Sequence, residues 1–287
     1  MSIVLITGCS TGIGFATAIS LAQAEHKVFA AMRNPSSSPE LAARAADDHL
    51  PIRVLRMDVD SDESVRQAVQ EVLSAHGRID VLVNNAGIPG GGPVEEVEIE
   101  LFRKIMETNF FGALRCMKAV LPGMRQQNSG HIINVTSVAG RIAMAPQAAY
   151  AASKWALEAT SEALAQEVRR FGIRVTIVEP GLIATPILGK VKPLQWSSHY
   201  PQIKRVRALF GASLQNPTPP SVVADKIVHI VKSDSGTFRQ PVGDANVYFA
   251  WRASMTDEQW IELNGVEDDE VWCASVKRHF GIDPQFT

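Results

Sequence analysis

The sequence predicts a doubly wound α/β fold, with a parallel sheet between two helical layers in a three-layer α/β/α arrangement. Three observations predict it. Short β-branched apolar runs alternate with helical stretches from residue 3 to about residue 180. Those runs are apolar throughout rather than at every second residue, as expected of strands covered on both faces. A turn with three glycines, Gly8-Cys9-Ser10-Thr11-Gly12-Ile13-Gly14, separates the first run from the first helical stretch.

Taken in order, Ser2–Thr7 (SIVLIT) reads as a strand and Ile13–Ala24 as a helix. Lys27–Met32 is a second strand, followed by a Pro/Ser-rich turn and a helix near Pro39–Asp48. Ile52–Met57 is a third strand. Asp62–Ala75 carries acidic residues in its first turn, which suits a helix N-terminus. Asp80–Val83 is a fourth strand, a long helical stretch covers about Leu101–Gln127, and His131–Val135 is a fifth strand. Ala148–Arg170 is helical with Gly172 as its stop, and Arg174–Val178 is a sixth strand. Over 182–220 the rhythm breaks at Pro186, Pro193, Pro201, Pro217 and Pro219, with Pro220 ending the run. This stretch reads as a long excursion with short helices at most. Val222–Lys232 is an amphipathic helix, Phe238–Val242 a last strand, and Tyr248–Ala253, Asp257–Asn264 and Asp268–Phe280 are short helices. The expected organisation is a single domain over 1–243, including a lid at 182–220, with a C-terminal helical extension over 244–287 packed on it.

Composition excludes several classes. The chain has 287 residues, 46% of them hydrophobic and 20% charged, which is ordinary for a soluble globular protein. A net charge of −2 gives no global field for nucleic acid or an anionic membrane. No apolar run approaches the ~20 residues of a membrane span, and the first residues carry no basic, apolar leader, so a cytoplasmic location is expected. Cys9, Cys116 and Cys273 are an odd, scattered set without metal-ligand spacing, and read as reduced thiols. Eleven of the nineteen aromatics, including four of the five tryptophans, lie after residue 190.

The glycine turn carries the first chemical signal. Glycines at 8, 12 and 14 allow a tight turn, close approach of a pyrophosphate and close helix–strand packing. The helix that follows offers free N–H groups and the positive end of its dipole to phosphate. The turn, with G-xxx-G-x-G spacing, reads as a Rossmann-type dinucleotide loop, with a purely structural glycine turn as the alternative. The same residues fit G-x-S-x-G, the nucleophile elbow of a serine esterase or lipase with Ser10 as nucleophile. That reading requires a later acid and one of the seven histidines as base, and no HGGG-type loop precedes the turn.

Further motifs follow at successive strand ends: Asp58-Val59, Asn84-Asn85-Ala86-Gly87, Asn109 in the long helix, Ser137, Tyr150-xxx-Lys154, and Pro180-Gly181 with Thr185. In this order, from residue 3 to about 186, they resemble the short-chain dehydrogenase/reductase family. Within it the Gly-Cys-Ser-Thr-Gly turn, Arg33 and the long C-terminal part look most like the hydroxysteroid and retinol dehydrogenase branch.

Tyr150 and Lys154 share a helix face. A neighbouring ammonium favours phenolate and is expected to lower the phenol from its usual ~10, so that Tyr150 serves as general acid or base. The resemblance implies that Lys154 also bonds the nicotinamide ribose, that Ser137 holds the substrate oxygen, and that Asn109 anchors a water linked to Lys154. It implies a dinucleotide site lined by Gly8, Ser10, Thr11, Gly12, Ile13, Gly14, Asp58, Val59, Asn85, Ala86, Gly87, Pro180, Gly181, Ile183 and Thr185. Asp58 would meet the adenine amine. The second strand ends on Met32-Arg33 rather than an acid, so a guanidinium is available for a ribose 2′-phosphate. NADP(H) is the expected cofactor, with NAD(H) as the alternative, and carbonyl reduction the expected direction.

The apolar residues after Ser137, among them Ala139, suggest one wall of a substrate pocket. Leu182, Ile187, Leu188, Leu194, Trp196, Tyr200, Val206, Leu209 and Phe210 suggest an apolar lid. A secondary alcohol or ketone with a sizeable apolar body fits, and Ser137, Ala139, Tyr150, Leu182 and Leu188 are the expected substrate contacts. Lys190, Lys192, Lys204, Arg205 and Arg207 make the lid basic, as solvated charge or as a mark of an acidic substrate group. A cofactor-sensing regulator of the same fold is the remaining alternative, disfavoured by the complete Ser, Tyr and Lys set. Pairing of the two long helices, as in that family, would make a homodimer or tetramer.

Overall fold

The computed structural model describes all residues except 188–197, 201, 214, 216–217, 234–235, 285 and 287. The chain runs β1 (Ile3–Thr7), α1 (Gly12–Gln23), β2 (Lys27–Met32), α2 (Glu40–Asp47), β3 (Ile52–Arg56), α3 (Asp62–His76), β4 (Val81–Asn84), α4 (Ile99–Met106), α5 (Gly112–Gln127) and β5 (Gly130–Val135). It continues through α6 (Ala148–Val168), β6 (Ile173–Pro180), α7 (Gln202–Ser213), α8 (Pro220–Lys232) and β7 (Arg239–Val242) to α9 (Ala245–Ala253), α10 (Asp257–Gly265) and α11 (Asp269–Phe280).

The seven strands form one parallel sheet in the order β3-β2-β1-β4-β5-β6-β7. Alternate residues of one strand feed opposite cores. Ile3 and Leu5 of β1 join Val65, Val72, Met117, Val120 and Leu157 on one face. Val4 and Ile6 join Ala18, Leu21, Leu41, Val223 and Ile227 on the other. Two-sided burial of a period-2 strand is why its sequence reads as one continuous apolar run. The edge strands depart from that rule: β3 exposes Arg53 and Arg56, and β7 is only partly covered. The strand order reverses between β1 and β4, so the carboxyl ends of these two strands open a crevice there.

Several expected elements change. The first strand starts at Ile3 and the fourth at Val81, because Asp80 turns its carboxylate back to accept the Ile3 N–H at 2.7 Å. The stretch expected as one helix over 101–127 is broken. Glu107–Phe111 form a π-helical turn between α4 and α5, which buries Thr108 and Asn109. Single π-helical turns inside α-helices are common at functional sites. The helix expected to reach Arg170 ends at Val168 and tightens to 3₁₀ over Arg169–Phe171, before Gly172 caps it at φ +64°.

The last three helices build their own aromatic cluster. Trp251, Trp260 and Trp272 gather with Tyr248 and Val276 around Ile142 and Leu209 of the body. Trp260 Nε1 donates to the Ala143 carbonyl at 3.3 Å. From α7, Arg205 is buried at 2% exposure. It donates to the Asp269 carboxylate at 2.8 Å and to the Asn264 and Val266 carbonyls. Arg205 is therefore neither solvated nor turned toward the crevice, contrary to both readings of a basic lid. Lys204 also pairs with Asp269, whereas Lys190 and Lys192 lie outside the described residues.

Candidate active site

At the switch point a cavity of about 650 Å³ runs from the glycine turn to the C-terminal helices. One end is built by the β1–α1 turn. Gly8 sits at φ +73°, and a Cβ there would lie 2.7 Å from the Ala86 Cα. At Gly12, φ +63°, a Cβ would lie 3.1 Å from the Thr185 side chain. Thr11 caps α1 without a side-chain hydrogen bond, which leaves first-turn N–H groups directed at the cavity mouth. Thr7 and Asn85 lock this turn to β4. The Thr7 hydroxyl accepts the Asn85 and Ala86 N–H groups at 3.0 Å each, and Asn85 Nδ2 donates to the Thr7 and Gly8 carbonyls at 2.9 and 3.1 Å. Arg33 and Asp58 lie along the same end, where Thr108 donates to Asp60 at 3.0 Å. The glycine cradle, the helix N-terminus and the guanidinium together fit a phosphate-bearing dinucleotide.

Gly14 does not line the cavity. A Cβ there would lie 2.4 Å from the Gly8 carbonyl oxygen and 2.5 Å from Asn85 Nδ2, both fixed by the lock just described. Gly14→Ala is therefore expected to cost about 1–3 kcal/mol by overpacking. A melting temperature equal to that of the unsubstituted chain would refute this account of the turn.

The centre of the cavity holds Ser137, Tyr150 and Lys154. Ser137 follows β5, and its hydroxyl accepts the Ala139 N–H at 3.1 Å, starting a short 3₁₀ turn over Val138–Gly140. Tyr150 lies in the first turn of α6 and Lys154 one turn later. The lysine is buried, donates to the Val135 carbonyl at 3.0 Å, and stands 5.7 Å from the Tyr150 ring centroid. Burial pulls the ammonium down to about 8, against the field of Glu158. Enclosure by protein pushes the Tyr150 phenol up to about 12, with a hydrogen bond to Ser137 acting the other way. The expected lowering of the phenol is thus not a property of the chain's own groups here: desolvation outweighs the Ser137 hydrogen bond.

Asn109 lies behind the cavity rather than in its wall. Its amide oxygen accepts the Ile88 N–H at 2.8 Å, and its Nδ2 donates to the Ile88 carbonyl at 3.1 Å and to Ser153 Oγ at 3.0 Å. It ties the loop after β4 to the residue before Lys154 from within the π-helical turn.

The remaining expected residues, Gly8, Ser10, Thr11, Gly12, Ile13, Arg33, Asp58, Val59, Asn85, Ala86, Gly87, Ala139, Pro180, Gly181, Leu182, Ile183 and Thr185, all line the cavity. Leu188, Leu194 and Trp196 lie outside the described residues, and Tyr200 is exposed, with its hydroxyl on Glu95. Ile187, Val206, Leu209 and Phe210 form the lid side of the far end. Met144 lines this end as part of the apolar stretch expected after Ser137, and Pro146, Gln147, Ile203 and Tyr248 also line it and were not singled out from the sequence. Tyr248 comes from the C-terminal part and belongs to no fixed-spacing motif. None of the seven histidines lines the cavity or hydrogen-bonds Ser10, so the elbow reading lacks its base.

Comparison with known proteins agrees with this geometry. The profile described as short chain dehydrogenase matches residues 2–195. Human retinol dehydrogenase 8 is 36% identical over 254 residues, 83% of this chain and 80% of that protein. A short-chain dehydrogenase from Streptomyces avermitilis superposes with a TM-score of 0.77 at 32% identity, over 88% of this chain and 93% of the other. A variant of actinorhodin polyketide ketoreductase with NADPH superposes with a TM-score of 0.75 at 29% identity, over 84% of this chain and 95% of the other.

Proposed function

The chain belongs to the short chain dehydrogenase family, and from that premise we propose that it is an NADP(H)-dependent oxidoreductase that interconverts a ketone with an apolar body and its secondary alcohol. The observation that carries this reading is one continuous cavity with a phosphate cradle at one end, Ser137, Tyr150 and Lys154 at its centre, and an apolar chamber beyond them. The dinucleotide, when bound, supplies or accepts the hydride.

The chain's own groups handle the proton and the oxygen. Ser137 and Tyr150 hold the carbonyl oxygen. Tyr150 gives its proton to that oxygen in reduction and takes it back in oxidation. Lys154, kept dry and cationic, offsets the cost of the phenolate. Asn109 acts by holding Ile88 and Ser153, so that α6 presents the two groups in register. Ile142, Met144, Val206, Leu209, Phe210 and Tyr248 would enclose the apolar body. The substrate residues Ala139 and Leu182 stand beside the reacting centre, and Leu188 is retained from the sequence pattern alone. A relative named for retinol, itself an apolar alcohol, supports the same substrate class. Carbonyl reduction in the cytoplasm is the proposed direction and place. Trp155 on α6 at 50% exposure and Phe111, in the π-helical turn that leads into α5, at 42% support a homodimer, and light scattering tests it.

A panel of apolar ketones with NADPH, followed by loss of its absorbance, tests the activity; no turnover with any of them would favour a cofactor-sensing regulator. Arg33, exposed at the end of β2 and lining the cavity, gives the cofactor preference. The expected result is a higher kcat/KM for NADPH than for NADH, with the gap narrowed in Arg33→Ala. An NADH preference in the unsubstituted enzyme would overturn this assignment.

A further inference from the structure

We propose that Glu158, one helical turn beyond Lys154, is a positioning residue: a buried counter-charge that keeps the Lys154 ammonium charged and fixes the strand end that carries Ser137. The inference rests on the oxidoreductase reading for its consequence in turnover, but not for the charge coupling itself.

Glu158 is 4% exposed and does not line the cavity. Its two carboxylate oxygens face different elements. Oε1 accepts the Thr136 hydroxyl at 2.7 Å, and Oε2 accepts Arg239 Nε at 3.0 Å from β7. Thr136 lies between Val135, whose carbonyl accepts the Lys154 ammonium, and Ser137. One carboxylate thus braces both the acceptor of the lysine and the backbone of the serine. Gly140 leaves room for it: a Cβ there would lie 2.9 Å from Glu158 Cγ and 3.4 Å from the Lys154 carbonyl oxygen.

Positions four apart on a helix are neighbours, and a low-dielectric surround lengthens the reach of a charge. The other charges near Lys154 come from four elements. Tyr150 and Glu162 lie on α6, and Glu162 takes the second nitrogen of Arg239 at 2.7 Å. On β6, Glu179 accepts Arg141 at 3.4 Å through Oε1, while its buried Oε2 has no partner. Arg141 follows the 3₁₀ turn and Arg239 lies on β7. Glu179 is itself pushed up by burial and by Glu158, which weakens it as a counter-charge. Glu158 is therefore the carboxylate that acts on Lys154, and it works against the burial of the ammonium.

The test reads the lysine directly. In the full chain with ¹³C-labelled lysine, the Lys154 side-chain NMR resonance is titrated with pH. Glu158→Gln is expected to move its midpoint down by about one unit, and Glu158→Asp to restore most of that shift. Arg239→Gln, which removes a cation at a partly exposed position, moves the midpoint up. In reductive turnover with NADPH the alkaline limb of the pH profile follows in the same directions, because losing a nearby negative charge favours the deprotonated forms of both Lys154 and Tyr150. A purely structural role lowers kcat at every pH without moving limb or midpoint. An unmoved midpoint in Glu158→Gln, or shifts of the same sign in Glu158→Gln and Arg239→Gln, overturns the proposal. Absence of turnover in the unsubstituted chain would remove the oxidoreductase reading while leaving the NMR result to decide the charge coupling.

Discussion

Tyr150→Phe is expected to lower turnover by about 10²- to 10⁴-fold, the usual contribution of a positioned acid or base, and to leave NADPH affinity and melting temperature nearly unchanged. The substitution removes one oxygen from a ring that lies on the cavity wall in the first turn of α6. The ring's packing and the Lys154–Val135 bond remain. What disappears is the hydroxyl that bonds Ser137, on a ring whose centroid lies 5.7 Å from the lysine nitrogen. Steady-state kinetics on an apolar ketone, with a fluorescence titration of NADPH, separates the two effects. A variant with near-normal kcat would show that the proton travels by another route. Loss of cofactor binding alongside kcat would instead place Tyr150 in the fold of the cleft rather than in its chemistry.

Trp251→Ala carries the largest expected cost in stability, about 3–5 kcal/mol, or a Tm lower by roughly 6–20 °C. Trp251 is fully buried. It meets Trp260 edge-on at 4.8 Å between centroids and Phe280 at 5.3 Å, and its indole N–H donates to Ser275 at 3.1 Å. Three separate helices converge on it, so the gap left by alanine cannot close without moving one of them. The same cluster includes Ile142, Leu209 and Tyr248, which line the apolar end of the cavity. Under the proposed function, KM for the ketone therefore rises in this variant while NADPH affinity, set at the far end, changes little. An unchanged Tm would refute the view that the C-terminal helices are part of the core.

The parts of the site that were legible in the sequence are those where one local rule allows few residues. Gly8 and Gly12 occupy positive φ against close neighbours, and Gly14 meets a fixed carbonyl. Tyr150 and Lys154 need only a helix to share a face. Ser137 and Asn85 sit just past strand ends, where an open parallel sheet presents its ligands. The parts that were not legible depend on partners far along the chain. Arg205 read as lid charge because Asp269 and the Val266 carbonyl reach it from more than 60 residues away. Glu158 carries no signal in the sequence, because its partners Thr136, just past β5, and Arg239, on β7, are brought to it only by the fold. Asn109 read as part of one long helix because Glu107–Phe111 carry no glycine or proline to mark a change of winding.

The phenol shows the same division in energetic form. Sequence spacing places an ammonium beside Tyr150, and from that alone its proton should be held less tightly. The fold encloses both groups, and burial acts in opposite senses on an acid that becomes anionic and a base that becomes neutral.

The sequence by itself determined the parallel α/β sheet, its strand ends and the family-specific order of groups placed there, because those follow from period, apolarity and local backbone geometry. Only the tertiary structure decided how the aromatic-rich last third is used. Trp251, Trp260 and Trp272 form a buried support that holds the wall of the cavity, since which helix meets which wall is set by packing between segments that no spacing along the chain encodes.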